Sequence, residues 1–373
     1  MKVMRKIEEI MDKALLDEMI EKKYVNVQKL DTGDPTTDLW LLNYSKSCQL
    51  EYMWNEVTTQ CRGLIINMFG TIKARPFVKF YNYEELEGLG ITVPNLPFDA
   101  YEKMDGSLGI MYWVNDVPYL ATRGSFTSEQ CKHGTEILHT KYKDMWDRFD
   151  KNKTYLFEII YPEDKHCIVY GPEVDDIFLL AVIDTETGLE TDSIDNYRDV
   201  LSVTKHYDGI KDWKNIREQF DGDNREGFVI RFSNGFRMKL KYEQYFKIHF
   251  LRSMLSKKYI LECLADDKIS NIEDYIGQLD EENQIYYRAK MQEIKDRYTE
   301  IENKMLDMYI SPECFKTQKE YAEWVFGNPA HKGFTGMMFS KAKGADYSKI
   351  IWKMIREEIR EENRNELNSD DDE

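Results

Sequence analysis

No stretch of the 373-residue chain approaches the roughly 20 consecutive apolar residues needed to cross a bilayer. Met1 to Lys23 carries charges throughout and lacks the apolar core of a secretory leader. It reads as an amphipathic helix with Ile7, Ile10, Met11, Ala14 and Met19 on or near one face. Closely spaced cysteines are also lacking: Cys48, Cys61, Cys131, Cys167, Cys263 and Cys314 lie far apart, with no Cys-x-x-Cys pair. That spacing argues against a disulfide framework or a zinc site and fits buried thiols of a reducing compartment. A cytoplasmic protein without a membrane partner is expected.

An excess of positive charge is missing as well. The net charge is −17, which at first argues against a nucleic-acid partner. Its distribution matters more. Glu357 to Glu373 alone contributes −7, while Arg237 to Lys258 holds seven Lys/Arg against the single acid Glu243. Tyr242, Tyr245, Phe246 and Phe250 interleave that basic stretch, a combination suited to a phosphate backbone and stacked bases. A packed helix with a basic outer face fits it equally well.

What the chain has, from about residue 38 to 240, is the texture of strands and short loops. Leu39–Leu42, Gly63–Met68, Phe178–Ile183, Phe228–Phe232 and Phe236–Lys241 are short apolar or alternating runs. Phe69-Gly70 and Ser233-Asn234-Gly235 read as hairpin turns, and one helix is expected from Ser128 to about Phe149. After about residue 243 Gly and Pro thin out. Tyr287, Met291, Ile294, Tyr298, Ile301, Met305 and Met308 then recur in steps of three and four, a long amphipathic helix capped by Asp280. Further helices are expected over Thr317–Phe326 and Tyr347–Glu366. The fold class is α+β: an antiparallel-sheet domain over 1–245, an all-helical domain over 246–367, and a disordered acidic tail over 368–373.

The chemistry is carried by Lys103-Met104-Asp105-Gly106-Ser107. Four fixed positions of this type match by chance in about 0.5% of chains this long. Other elements surround it in order: Cys61-Arg62-Gly63 and Lys79-Phe80-Tyr81-Asn82 upstream, then Thr122-Arg123-Gly124-Ser125, Leu156-Phe157-Glu158, Glu226-Gly227-Phe228-Val229 and Lys239-Leu240-Lys241 downstream. Each alone has a plain structural reading as a turn, a strand end or a solvated sheet face. A lysine amine attacks phosphorus only when neutral, so its pKa has to be lowered by desolvation or by cations such as Lys239, Lys241 and a bound metal. Gly106 and Gly227 would let the chain turn tightly beside a ligand.

In order and approximate spacing these elements resemble the nucleotidyltransferase motifs of covalent polynucleotide ligases and mRNA capping enzymes. DNA ligases and capping enzymes carry an oligonucleotide-binding (OB) β-barrel after the Lys-x-Lys strand; here the chain turns helical. The sequence is therefore most similar to the bacteriophage RNA ligase 1 type of tRNA-repair enzyme, a likeness that extends to Tyr286-Tyr287-Arg288 and Lys319-Glu320-Tyr321-Ala322. The resemblance implies an ATP-grasp-like ligase core without an OB barrel, ATP as co-substrate with Mg²⁺ or Mn²⁺, and a viral source with the host cytoplasm as its place of action. The implied partner is RNA with 5′-phosphate and 3′-hydroxyl ends, a nicked tRNA among the candidates, and the implied state is a monomer.

Residue by residue, the resemblance makes Lys103 the AMP-linked nucleophile, with Asp105 and Gly106 in the same catalytic run. Glu158 becomes the ribose-binding carboxylate, Glu226 the metal-linked one with Glu158 nearby, and Lys239 and Lys241 the phosphate-contacting pair. Arg62, Lys79 and Arg123 match basic positions of the nucleotide site, and Tyr245 matches a functional tyrosine that a packing role would explain equally. Where the family has an arginine before Ile-Val, this chain has His166-Cys167. A DNA ligase, a capping enzyme and a non-catalytic RNA-binding protein of the same fold are the alternatives.

Overall fold

The computed structural model describes residues 5–372 except 165, 221, 223, 247–254, 256, 267 and 278–280; for 270, 271, 281–283 and 361–372 only the backbone is described. The chain divides into two compact units, Met1–Phe246 and Lys247–Asp372.

The first unit is built on three sheets. In the first, β1 (Val25–Leu30), β2 (Leu39–Tyr44), β3 (Arg62–Asn67) and β4 (Ile72–Ala74) pair in sequence order. The strands that follow are β5 (Tyr81–Asn82), β6 (Phe98–Lys103), β7 (Ser107–Val114), β8 (Val117–Ala121), β9 (Lys153–Ile160) and β10 (Asp176–Asp184). Last come β11 (Glu190–Asp192), β12 (His206–Tyr207), β13 (Gly227–Phe232) and β14 (Arg237–Lys241). The second sheet has the order β11-β10-β9-β7-β8 and the third β12-β6-β13-β14-β5. Pairing is antiparallel except between β14 and β5. No sheet closes into a barrel among the described residues.

The apolar runs read from the sequence become the sheet interiors. Tyr155, Leu156 and Phe157 of β9 are fully buried because this strand is central and covered on both faces. β14 instead alternates: Met238 and Leu240 enter the core, while Arg237, Lys239 and Lys241 share the opposite face. The two hairpin turns form with Gly70 at φ 72° and Gly235 at φ 86°, a region open to glycine at little steric cost.

Two helices are shorter than their periodicity suggests. The N-terminal one starts at Lys13, because the Asp12 side chain accepts the Ala14 and Leu15 N–H groups, and a short 3₁₀ turn over Ile7–Glu9 precedes it. Ile7, Met11 and Met19 still reach the core. The helix expected to run from Ser128 to Phe149 is α-helical only over Glu129–Thr140. Tyr142 turns inward, its hydroxyl donating to Asp176 at 2.9 Å, and a 3₁₀ segment follows.

The second unit is helical, and no strand occurs among its described residues. Its long helix spans Glu281–Met308; Met291, Ile294, Ile301 and Met305 are buried, and Tyr287, Tyr298 and Met308 pack beside them. The proposed cap Asp280 lies outside the described residues. The helix expected over Thr317–Phe326 spans Gln318–Gly327, with Thr317 as its N-cap. The last helix continues from Ser348 to Asp372, past Glu366 and into the segment expected to be disordered, of which 373 lies outside the described residues; no Gly or Pro after Gly344 stops it. No helix among the described residues is long and apolar enough to cross a membrane. No disulfide joins any of the six cysteines among the described residues; Cys48, Cys61, Cys131 and Cys263 are buried, but Cys167 is half-buried and Cys314 exposed.

Candidate active site

Lys103 is the last residue of β6, and its register explains its neighbours. Gly227 lies opposite Lys103 on one side and opposite Lys241 on the other. Glu226, one residue earlier, is thereby placed between the two ammonium groups. Its Oε2 accepts from Lys103 Nζ at 2.7 Å, and its Oε1 lies 2.7 Å from Lys241 Nζ. The carboxylate is buried, with 2% of its side chain exposed, and needs both partners to offset its desolvation.

The two glycines act through close approach rather than as turns. A Cβ on Gly227, at φ +146°, would sit 2.2 Å from the Leu240 carbonyl oxygen. A Cβ on Gly106 would meet the Ile159 carbonyl oxygen at 2.6 Å and the Glu158 side chain at 2.9 Å. That contact lets the Gly106 N–H donate to Glu158 Oε1 at 3.0 Å. Asp105 fastens the run from the other side. Its Oδ2 accepts the Cys167 and Ile168 N–H groups at 2.7 and 3.0 Å, and its Oδ1 accepts the Tyr245 hydroxyl at 3.0 Å. The Asp105 N–H donates to the Tyr170 hydroxyl at 2.6 Å. Tyr245 is buried, so its packing and its hydrogen bond to the motif coexist.

A cleft of 530 Å³ is lined by residues from all three sheets. Its lining includes Lys103, Gly106, Arg62, Arg123, Glu158 and Lys239, together with apolar Phe77, Phe80, Leu108, Leu180 and Val229. Lys79, Asp105, Glu226, Lys241 and Tyr245 lie off its walls; Glu226 joins it through Lys103. Four residues along β13 from Gly227, Arg231 ion-pairs with Glu190 of β11, which Arg237 of β14 also grips. Arg231 further bonds Asp99 at 2.8 Å, so this network ties the second and third sheets beside the cleft. Sequence reasoning missed Phe77, Tyr101, Glu190 and Arg231; a lone arginine or aromatic on a strand carries no local mark of the cleft it faces.

The electrostatics divide into two groups. Burial alone would depress the Lys103 ammonium, but Glu226, Glu158 and Asp105 outweigh it and raise its pKa. The protein groups thus keep Lys103 protonated, the reverse of the lowering expected from neighbouring cations. Glu158 is pushed up to about 7, mainly by burial, with Glu226 adding to the effect and Lys103 opposing it. Lys239 goes far below its ordinary value through burial, then through repulsion by Lys103, Arg62, Lys241 and Lys79. Burial also lowers Arg62 and Lys79. None of Arg62, Lys79 and Lys239 has an ion-pair partner among the described residues. The buried Nη1 of Arg62 and Oδ1 of Asn43, both residues of the cleft wall, lack any hydrogen-bond partner. Orphaned groups of this kind cost about 1–3 kcal/mol each unless a ligand satisfies them.

In the His166-Cys167 pair, His166 Nε2 lies 2.9 Å from Asp164 Oδ2, which also accepts the Ser107 hydroxyl at 3.0 Å. Of the basic stretch Arg237–Lys258, the first three cations face the site rather than an outer surface, and 247–254 and 256 lie outside the described residues. No group of three or more His, Cys, Asp or Glu suited to a metal occurs among the described residues.

Antiparallel sheets flanking a cleft, with a lysine at a strand end between carboxylates and uncompensated cations, define the nucleotidyltransferase class. The model of the RNA ligase family matches residues 60–250. The chain belongs to that family, whose members the motifs around Lys103 resemble. A relative named as a bifunctional polynucleotide kinase/RNA ligase, from Autographa californica nuclear polyhedrosis virus, is 28% identical over 174 residues, covering 40% of this chain and 25% of that one. The chain thus spans a quarter of that relative's length. An archaeal ATP-dependent RNA ligase is 13% identical with a TM-score of 0.44, covering 75% of each chain. An ATP-dependent DNA ligase structure from Aquifex aeolicus is 17% identical with a TM-score of 0.45, covering 78% of this chain and 75% of that one. These two likenesses carry no argument of their own.

Proposed function

We propose that this RNA ligase joins RNA 3′-hydroxyl and 5′-phosphate ends at the expense of ATP, through AMP linked to Lys103. One observation carries the reading. Lys103 stands between a carboxylate group (Glu226, Glu158, Asp105) and a cation group (Arg62, Arg123, Lys239 and, beyond the wall, Lys79) that has surplus positive charge and an orphaned donor. A nucleotide polyphosphate is the ligand class that satisfies those cations.

In the first step the Lys103 amine, having lost its proton, attacks the α-phosphorus. A P–N bond forms, the bond to the bridging oxygen breaks, and pyrophosphate leaves beside Arg62 and Lys239. In the second, a 5′-phosphate oxygen of RNA attacks the same phosphorus and the amine is released. In the third, a 3′-hydroxyl attacks the activated 5′-phosphorus, loses its proton and displaces AMP. On this reading Glu158, a residue of the cleft wall, would accept ribose hydroxyls, and Asp105 with Tyr245 would hold the nucleophile's turn through their hydrogen bonds.

Mg²⁺ commonly binds through one or two carboxylates plus substrate phosphates and water; Glu158, on the cleft wall, would hold it, and Glu226 would join it by giving up one of its two lysine partners. Bound there, the ion would supply positive charge that favours the neutral form of Lys103. On this reading 1–245 would carry adenylyl transfer and the helical 246–367 would bind RNA, with a nicked tRNA among the candidate substrates and a monomer as the working state.

Incubation with ATP labelled at the α-phosphate and Mg²⁺ or Mn²⁺ should label the protein, and Lys103→Ala should abolish the label. A wild-type protein that takes no label with either metal rules the reading out. With label on the protein, sealing of 5′-phosphorylated single-stranded RNA in preference to nicked duplex DNA is the expected outcome.

A further inference from the structure

The cations near Lys103 are held in different ways. Arg123 donates to the Tyr44 hydroxyl at 2.8 Å, and Arg62 and Lys239 lie over the Phe80 ring at 5.9 and 5.1 Å. Lys79 is enclosed by rings. Its Nζ lies 4.1 Å from the Trp54 ring centre, 4.6 Å from Tyr81 and 5.7 Å from Tyr44. Trp54 meets Tyr44 edge-on at 5.0 Å and Tyr81 at 6.4 Å, so the three rings form one wall. No hydrogen bond or ion pair to this Nζ occurs among the described residues. The wall is rigidly backed: the Lys79 N–H donates to the Thr59 carbonyl at 2.7 Å, and the Asn55 side chain caps Val57 and Thr58 at 2.9 Å each.

The choice of rings over a carboxylate has a physical consequence. Arg62 and Arg123 repel Lys79, while Glu85 attracts it. Without the box the flexible side chain would turn toward Glu85 or solvent. A carboxylate would hold the head but neutralise it and compete with an incoming anion. Ring faces attract the ammonium through their quadrupoles and leave its whole charge available. Lys79 does not line the cleft, but Arg62, Phe80 and Arg123 do. Arg123 lies over the Tyr44 ring at 4.9 Å and Lys79 over the same ring at 5.7 Å, so a polyphosphate held by Arg123 would have Lys79 close by.

We infer that Trp54, with Tyr44 and Tyr81, is a positioning box that keeps Lys79 directed at the pyrophosphate portion of ATP. The inference rests on the lysyl–AMP reading above. Its consequence is selective, because the β- and γ-phosphates are present only in the first chemical step. The box therefore matters more for charging Lys103 from ATP than for sealing an RNA whose 5′ end already carries AMP.

The test compares lysyl–AMP formation from α-labelled ATP with sealing of chemically pre-adenylated RNA in the same preparations. Trp54→Leu should raise the ATP concentration for half-maximal labelling about tenfold and lower the labelling-to-sealing ratio to match. Trp54→Phe should restore most of the ratio. Lys79→Ala should lower it too, and adding Trp54→Leu to Lys79→Ala should change it less than about twofold, since the box then has nothing to hold. General structural damage would lower both activities and leave the ratio in place. If Trp54→Leu does not fold, Tyr81→Leu in the edge strand β5 is read the same way. An unchanged ratio in a folded Trp54→Leu protein, or an equally large fall in the Lys79→Ala background, overturns the inference while wild-type labelling stands. A wild-type protein that takes no label overturns the lysyl–AMP reading itself.

Discussion

Glu226 holds Lys103 and Lys241 at 2.7 Å through separate oxygens, so one buried carboxylate bridges the nucleophile strand and the Lys-x-Lys strand. The bridge follows from register: Gly227 faces both lysines, and β13 lies between β6 and β14. The chemistry of Lys103 is thereby tied to the state of Glu226.

That tie sets a pH dependence. The pKa of Lys103 is raised by carboxylates that outweigh its burial, so the reactive neutral amine is scarce near neutrality and accumulates as pH rises. Single-turnover labelling by ATP should increase with pH across the neutral and alkaline range. Glu226→Gln, which removes the strongest opposing charge, should displace this limb to lower pH even as it reduces the maximal rate. A profile that is flat, or that falls with pH, contradicts the argument.

Glu158 gives a stability prediction with a definite sign. Its folded pKa of about 7 lies above the ordinary carboxylate value, so its contribution is fully present in acid and is lost as pH rises through about 7. Glu158→Gln should therefore gain stability relative to wild type between pH 5 and pH 8, by roughly 1–3 kcal/mol after allowance for water in the cleft. Thermal melts of the two proteins at both pH values check this. A difference that shrinks toward pH 8 goes against it.

Gly227→Ala places a methyl group 2.2 Å from the Leu240 carbonyl oxygen at φ +146°. Both the clash and the backbone conformation oppose it, and a loss of roughly 2–4 kcal/mol is expected in urea unfolding. Labelling should fall with it, because separation of β13 from β14 moves Glu226 away from Lys241. Near-wild-type stability would show that the strands part without penalty.

Tyr245→Phe removes the hydroxyl donated to Asp105 while two backbone N–H groups remain on that carboxylate. Stability should change by about 1 kcal/mol. Labelling should decline by a larger factor than that loss of stability explains, since the turn carrying Lys103 is less firmly held. Equal labelling by the two proteins would assign Tyr245 to packing alone.

Much of the site was legible in the chain because its residues occur in short runs with fixed local geometry. Lys103 and Asp105 share a turn, Glu226 precedes a glycine, and Lys239 and Lys241 alternate on a strand, so their shared face follows from a period of two. The long helix Glu281–Met308 was legible for a similar reason: seven apolar residues at helical spacing need a single buried stripe. The interruption at Tyr142 was not, since it depends on Asp176, 34 residues away. Nor was the Glu190–Arg231–Arg237 network, which exists only because β11, β13 and β14 meet across two sheets.

The sequence by itself determined the kinds of element, the residues able to carry phosphoryl chemistry and the likeness to ligases that use a lysine. Tertiary structure decided how those residues share charge. Lys103 lies among carboxylates that raise its pKa against its burial, Lys239 is lowered by burial and then by the cations around it, and Lys79 lies within three rings contributed by separate segments. A pKa depends on burial and on every charge within several ångströms. Those distances belong to strand register and sheet packing, which no local run of residues specifies.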